Sequence, residues 1–318
     1  MITVGGFNTS VDKTLDVDEM RVGAVNRVRG VRAAPGGKGL HVALTVAALG
    51  ETVRLVGLID AGHRAEFEDA LGARGVEFDG VESPGGIRTC LVIRDRGGAR
   101  ITEVLEPGPL MDADARGALE SRFLALAAES DLAVLSGSAP PGFEAETYAR
   151  LVTSLREAGV MCLVDASGDL LRCAVAARPV LVKPNREEAE ALLGARIDEI
   201  ATAGEAARAL SARGVATAVV SLGALGAVAA RGSRTVHARV PAMEVVNPVG
   251  SGDCLLGGMA VALRRGQELD EMLRLGVACG AANAVVGDRG WVRKDDVERV
   301  LPRVTVSEIP ASDRRERG

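Results

Sequence analysis

The sequence predicts an α/β protein: a mainly parallel sheet covered by helices on both faces, with a second, smaller sheet attached to it. Three observations lead there. Short, continuously apolar runs alternate with longer amphipathic stretches. Several of those stretches stop at a glycine, namely Gly50, Gly75, Gly159, Gly194 and Gly214, which is the usual punctuation of a helix C-terminus. Two further stretches break the alternation.

The apolar runs at 2–4, 53–58, 132–136, 161–165, 180–183, 218–222 and 226–230 read as strands, most of them buried on both faces. Helices are predicted over 37–49, 64–73, 112–129, 145–158, 187–193, 203–212, 252–265 and 271–286. The stretches 14–31 and 87–105 alternate or carry charge and are read as strands without intervening helices. Within the second, 90–93 and 101–105 flank Arg96-Gly97-Gly98, a hairpin signal. These segments form the smaller sheet, a lid on the main body. The whole chain, 1–318, is read as one domain with its lid strands within about 12–34 and 87–107.

A chain of 318 residues buries a full core without covalent staples. Aromatic residues make up 2% of it, so that core is built mainly from Val, Leu and Ala, which also argues against a stacking platform for single-stranded nucleic acid. The net charge of −5 comes without a basic stripe, which argues against nucleic acid of any kind. The mixed-charge tail at 314–317 reads as a solvated terminus. Five cysteines, Cys90, Cys162, Cys173, Cys254 and Cys279, are odd in number and form no C-x-x-C pair. They fit free thiols in a reducing cytoplasm. His41, His63 and His237 show no zinc-site spacing. No signal peptide opens the sequence, and no apolar run is long enough to span a bilayer.

Four segments carry candidate chemistry. Gly250-Ser251-Gly252-Asp253 opens a helix, where close-approaching backbone, free N–H groups and the positive dipole end suit a developing phosphoryl charge. Asp253 there is placed to take a proton from an attacking hydroxyl, although an Asp near a helix start also reads as a cap. The spacing is not a dinucleotide fingerprint, because the next glycine is Gly257. Ala34-Pro35-Gly36-Gly37-Lys38-Gly39 puts flexible backbone and a cation at another helix start without being a Walker loop. His41, on the first turns of that helix, is a candidate substrate contact. Lys183-Pro184-Asn185-Arg186-Glu187-Glu188 follows a buried-type strand, the place where open α/β sheets bind ligands. Asn185 and Glu188, three apart, either hold a magnesium ion through water or cap the helix. Ser221-Leu222-Gly223-Ala224-Leu225-Gly226 reads as a tight turn between strands.

In order along the chain stand Asn8-Thr9-Ser10-Val11-Asp12, Val25-Asn26-Arg27, Gly36-Gly37-Lys38-Gly39 and Glu106-Pro107-Gly108-Pro109. They are followed by Ser136-Gly137-Ser138-x-Pro140-x-Gly142, Asp165-Ala166-Ser167-Gly168 and the three later segments above. This ordered set resembles the ribokinase-like sugar kinases, specifically their phosphofructokinase B branch. The resemblance implies a three-layer α/β/α sandwich with a β-sheet lid, and transfer of the γ-phosphoryl group of ATP, with Mg2+, to a sugar phosphate. It implies Asp253 as the catalytic base and Gly250, Ser251 and Gly252 as the anion hole. It places Asp12, Arg27, Gly36, Gly37, Lys38, His41, Arg88 and Ser138 around the sugar, with Arg88 reaching the substrate's own phosphate. It places Lys183, Asn185, Glu188, Ser221, Gly223, Gly226 and Asn283 along Mg-ATP. Homodimers paired through the lid are a further implication.

Within the branch, 87–93, 102–106 and Val246-Asn247-Pro248 look closest to tagatose-6-phosphate kinases, with fructose-1-phosphate kinases next. The clearest departure is His41, where the branch has Asn. A kinase of an unphosphorylated sugar or nucleoside, and a non-catalytic sugar-phosphate sensor on the same scaffold, are the competing readings.

Overall fold

The computed structural model describes residues 1–83, 85–98, 100–286 and 290–310; the tail read above as a solvated terminus lies outside them. The chain starts with β1 (Ile2–Gly6), β2 (Ser10–Val17) and β3 (Gly30–Gly36), then α1 (Lys38–Ala48), β4 (Val53–Ile59), α2 (Arg64–Gly72) and β5 (Val76–Glu82). Next come β6 (Arg88–Asp95), β7 (Arg100–Leu105), α3 (Ala113–Ala127), β8 (Leu132–Ser136), α4 (Thr147–Glu157), β9 (Met161–Asp165) and α5 (Gly168–Ala176). β10 (Leu181–Val182), α6 (Arg186–Leu193), α7 (Ile200–Ala212), β11 (Thr217–Ser221), β12 (Ala227–Arg231) and β13 (Arg234–Arg239) follow. The last elements are α8 (Ser251–Arg264), α9 (Leu269–Ala284), α10 (Lys294–Val300) and β14 (Thr305–Glu308).

Among the described residues the large sheet has the order β14-β13-β12-β11-β10-β9-β8-β1-β4-β5. It is parallel from β5 to β11, and β12, β13 and β14 are antiparallel additions at one end. Strand alternation sends neighbouring side chains to opposite layers. Leu132 and Val134 of β8 pack with α1, α2, α8, α9 and α10, whereas Ala133 and Leu135 pack with α3, α4 and α5. α6 and α7 complete the second layer over β11 and β12. The result is the expected α/β/α sandwich.

The predicted apolar runs are β1, β4, β8, β9, β10, β11 and β12. The predicted helices are α1, α2, α3, α4, α6, α7, α8 and α9, and all of the predicted glycine stops have positive φ. β5, β13 and β14 went unread because they lie toward the sheet's ends and carry charged residues, and α10 because it is short; α5 was also unread. The stretch 14–31 is not a strand throughout. Asn26 folds the connection back by accepting from Arg21 N at 2.9 Å and donating to the carbonyls of Arg21 and Ala24. The chain thus leaves the sheet after Val17 and returns at Gly30.

The lid is a four-stranded sheet of order β3-β2-β6-β7. Its register puts Asp12, Thr14 and Asp16 on one face with Arg88, Cys90, Val92 and Arg94. Asp16 accepts two hydrogen bonds from the Arg94 guanidinium, at 2.8 and 3.1 Å, which hold its carboxyl below the ordinary carboxylate range. All five cysteines are free thiols, and burial pushes Cys254 up to about 12. No described helix is long and apolar enough to cross a membrane.

α1 sits on β1 through two glycines: a Cβ on Gly39 would lie 2.5 Å from Gly6 Cα. Both sides of that contact are backbone, so neither yields by changing rotamer. Gly39→Ala is expected to destabilise the protein by about 1–3 kcal/mol, read as a lower midpoint in a urea or thermal melt. An unchanged midpoint would show that α1 backs away freely.

Candidate active site

The loops that follow β1, β8, β9, β10 and β11 leave the sheet at the carboxyl ends of parallel strands, where a doubly wound sheet opens its crevice. Two helix N-termini point into the same region, those of α1 after Gly37 and α8 after Gly250.

The α8 end is built around Gly250, whose φ of +83° turns the chain sharply before the first helical residue. Asp253 then falls on the first turn. Among the described residues the N–H groups of Gly250 and Gly252 take no backbone acceptor, while those of Ser251 and Asp253 bond to Pro248 and Gly250. Unpaired N–H groups beside a carboxylate on one turn are what an anion hole with an adjacent base requires. Asn283 of α9 donates to Val249 O at 2.9 Å and Ser251 Oγ at 3.0 Å. It is fully buried, so it braces this turn from behind rather than facing the cleft.

His41 takes a different place from the substrate contact anticipated for it. Its Nδ1 lies 2.9 Å from Asp253 Oδ2, and the residue is 4% exposed. The imidazole is spent on the carboxylate, which is why it is withdrawn from solvent.

On the opposite side, Lys183 Nζ lies 3.1 Å from Asp165 Oδ2 in a pair almost closed to solvent. A Cβ on Gly252 would be 3.5 Å from the same ammonium, so Lys183 also abuts the start of α8. Asp165 Oδ1 is buried with no hydrogen-bond partner among the described residues. Lys38, at the first position of α1 and open to the cleft, is held above the usual lysine value by Asp165 first, and further by Asp253 and Glu188. Two lysines and three carboxylates therefore converge from α1, β9, the β10–α6 loop, α6 and α8.

Asn185 and Glu188 form a reciprocal cap on α6. Asn185 Oδ1 accepts from Glu188 N and Glu188 Oε2 accepts from Asn185 N, both at 2.8 Å. Partial burial raises the Glu188 carboxyl above its ordinary value, with the nearby Asp165 adding to the effect. Asn185 also bridges to Ser221. That bridge sets the Ser221–Gly226 turn beside the cap, with Gly223 and Gly226 at positive φ.

Lys38, Gly37, Arg88 and Ser138 line one small pocket. Arg88 donates to Asn8 O at 3.1 Å and Glu106 O at 3.2 Å, and Asn8 Nδ2 donates in turn to Ser138 Oγ. Asp12, beside Gly36, accepts from Ser10 Oγ at 2.7 Å. Asp12 and His41 line one end of a cavity of about 440 Å³ between the lid, α1 and α2. Arg27 is not brought to either pocket; it stands exposed on the β2–β3 connection.

The structure thus gathers all the other anticipated residues, and it adds two that carried no role in the sequence. Asp165 had one local signal, a charge closing an apolar strand. Asn8 had none that tied it to Arg88 across the lid hinge.

A helix N-terminus with a carboxylate on its first turn, a lysine-rich crevice and a polar pocket beside the small sheet suit phosphoryl transfer to a small polar acceptor. Residues 6–290 match the profile described as pfkB family carbohydrate kinase, and the chain belongs to that family. It is 38% identical over 280 residues to a 1-phosphofructokinase of Rhodobacter capsulatus, covering 87% of this chain and 88% of that one. It is 30% identical over 312 residues to a tagatose-6-phosphate kinase of Staphylococcus epidermidis, covering 97% and 100%. The crystal structure of Escherichia coli phosphofructokinase-2 in complex with substrates and products superposes with a TM-score of 0.88 at 27% identity, covering 95% of this chain and 98% of that one. The fold is the ribokinase-like one.

Removing one partner of a buried ion pair leaves the other charge uncompensated. Lys183→Met is expected to cost about 3–5 kcal/mol in urea unfolding, and Asp165→Asn added to it to restore part of the loss. If the double variant is no more stable than the single one, the pair is not coupled in the way its geometry indicates.

Proposed function

We propose that this protein transfers the γ-phosphoryl group of ATP to a hydroxyl of a ketohexose phosphate of the tagatose-6-phosphate or fructose-1-phosphate type. The observation that carries the reading is the first turn of α8, where Asp253 stands beside the N–H groups of Gly250 and Gly252, which take no acceptor among the described residues. In this mechanism the acceptor oxygen attacks the γ-phosphorus while its proton passes to Asp253. The bond from the γ-phosphorus to the bridging oxygen breaks and ADP leaves. The N–H groups of the α8 turn, with Lys183 and Lys38 flanking it, receive the charge on the transferring group. Because Lys38 is held above the ordinary lysine value, its charge persists through neutral and mildly alkaline pH.

The nucleotide lies along the β10–α6 loop and the Ser221–Gly226 turn, with Asn283 acting through Ser251. Magnesium, when bound, neutralises phosphate oxygens. Glu188, Asn185 and the unpartnered Oδ1 of Asp165 fit a hydrated ion. Among the described residues no three His, Cys, Asp or Glu side chains group to grip an ion directly, which favours contact through water. On the acceptor side Asp12, Gly36 and Gly37 meet sugar hydroxyls, and Arg88, with Ser138 beside it, meets the acceptor's own phosphate. The two curated relatives are named for such substrates. The free thiols fit a cytoplasmic setting.

Coupled ADP release with tagatose-6-phosphate, fructose-1-phosphate and fructose-6-phosphate tests the reading. Turnover of one of them is expected, and binding without turnover of any would make the protein a sensor. Asp253→Asn is expected to lower kcat by about 10²- to 10⁴-fold while calorimetry still shows both ligands binding. Arg88→Ala is expected to raise KM for the sugar phosphate about 10- to 100-fold. An unchanged KM would favour an unphosphorylated acceptor.

The lid face opposite Asp12 carries Leu15, Leu91 and Ile93, with Val31 and Val104 more than half exposed beside them. This apolar face supports a homodimer paired through the lid. Sedimentation is expected to give a dimer that Leu91→Asp converts to a monomer; a wild-type monomer would exclude it.

A further inference from the structure

The imidazole at position 41 does something that an acceptor contact does not require. It is enclosed, its side chain 5% exposed, and it shares a 2.9 Å hydrogen bond with a carboxylate whose own side chain is 8% exposed. The ring has no freedom to turn away. Gly290, at φ +62°, passes so close that a Cβ there would run into the ring's Cγ and Cδ2. A Cβ on Gly250 would meet Gly290 backbone at 2.6 Å and the ring's Nδ1 at 3.5 Å. The two glycines form a slot that the ring fills.

The helices deliver the ring to that slot. His41 and Thr45 are one α1 turn apart, and Asp253 and Gly257 are one α8 turn apart. A Cβ on Gly257 would lie 2.7 Å from Thr45 Cβ, so the lower pair brings the helices together and the upper pair is held at hydrogen-bond distance. A carboxylate only accepts, so the shared proton sits on Nδ1 and the ring is the donor. Oδ2 of Asp253 is thereby occupied, and Oδ1 is the oxygen left to face an acceptor hydroxyl.

We propose that His41 is a positioning residue for the catalytic base: it fixes the rotamer of Asp253 and presents Oδ1 to the acceptor, and it takes no part in binding the sugar. The proposal rests on Asp253 acting as the base. An asparagine at this position would place its Nδ2 where the imidazole Nδ1 stands.

The test uses His41→Asn, His41→Gln and His41→Leu, assayed with the sugar phosphate that the wild type phosphorylates. Loss of a charge-assisted bond to the base is expected to lower kcat about 10- to 100-fold in His41→Leu, with KM within about threefold of wild type. His41→Asn restores the donor at the Nδ1 position and recovers most of kcat. His41→Gln puts its amide at the Nε2 position and does not. A rise in KM with kcat preserved, or equal losses in His41→Asn and His41→Gln, overturns the proposal. If His41→Leu fails to fold, the Asn–Gln comparison decides alone. A second readout needs no turnover. The protein has three histidines, so nitrogen NMR of the histidine-labelled protein resolves the His41 ring by its absence in His41→Asn. Asp253→Asn must shift that ring's Nδ1 resonance; an unmoved resonance overturns the contact itself, whatever the enzyme's substrate proves to be.

Discussion

The active site depends on helices that meet where they carry no side chain. α8 touches α1 at Gly257, which admits Thr45, and α1 touches β1 at Gly39, which admits Gly6. These contacts are backbone-close, and close-packed interiors tolerate little drift. They set the two helix N-termini side by side at the carboxyl edge of the sheet, and they bring His41 within reach of Asp253. Without that approach the Gly250 turn would be an ordinary helix start with an acidic first turn.

Charge organises the other half of the crevice. Asp165 and Lys183 are buried together, a costly arrangement that seldom stabilises a fold by itself. Its use is in what it leaves over: an unpartnered carboxylate oxygen on one side and an ammonium against the start of α8 on the other. Lys38 enters from the acceptor side and is held charged by the same carboxylates. Preorganised charges of this kind need no rearrangement when a polyphosphate arrives, which is how electrostatic catalysis gains its advantage. The Asn185–Glu188 cap is a structural role for two residues that also face the crevice. The cap occupies one carboxylate oxygen and fixes the direction of the whole group.

The lid connects these halves to the acceptor. Arg88 is anchored to the carbonyls of Asn8 and Glu106, on either side of the junction between lid and body, and Asn8 reaches Ser138 at the end of β8. The position of the small sheet and the pocket beside Arg88 are therefore one hydrogen-bonded unit. The second face of the same sheet carries Leu15, Leu91 and Ile93, so one small element has a polar face toward the cavity and an apolar one away from it.

The sequence by itself determined the layered fold, because apolar runs and glycine stops report local conformation and burial. It also marked the candidate segments Gly250 to Asp253, Gly36 to Lys38 and Lys183 to Glu188, since each is contiguous and its residue types and spacing are legible in local order. It missed the edge strands β5 and β14 and the neighbouring β13, whose polar residues obscure the pattern, and the loop that Asn26 folds between β2 and β3. Only the tertiary structure decided what His41, Asp165, Asn8 and Asn283 do. Each acts on a residue distant in the chain: His41 on Asp253, Asp165 on Lys183, Asn8 on Arg88 and Asn283 on Ser251. A hydrogen bond depends on position within a few tenths of an ångström, and that is set by how helices pack, which no local pattern records.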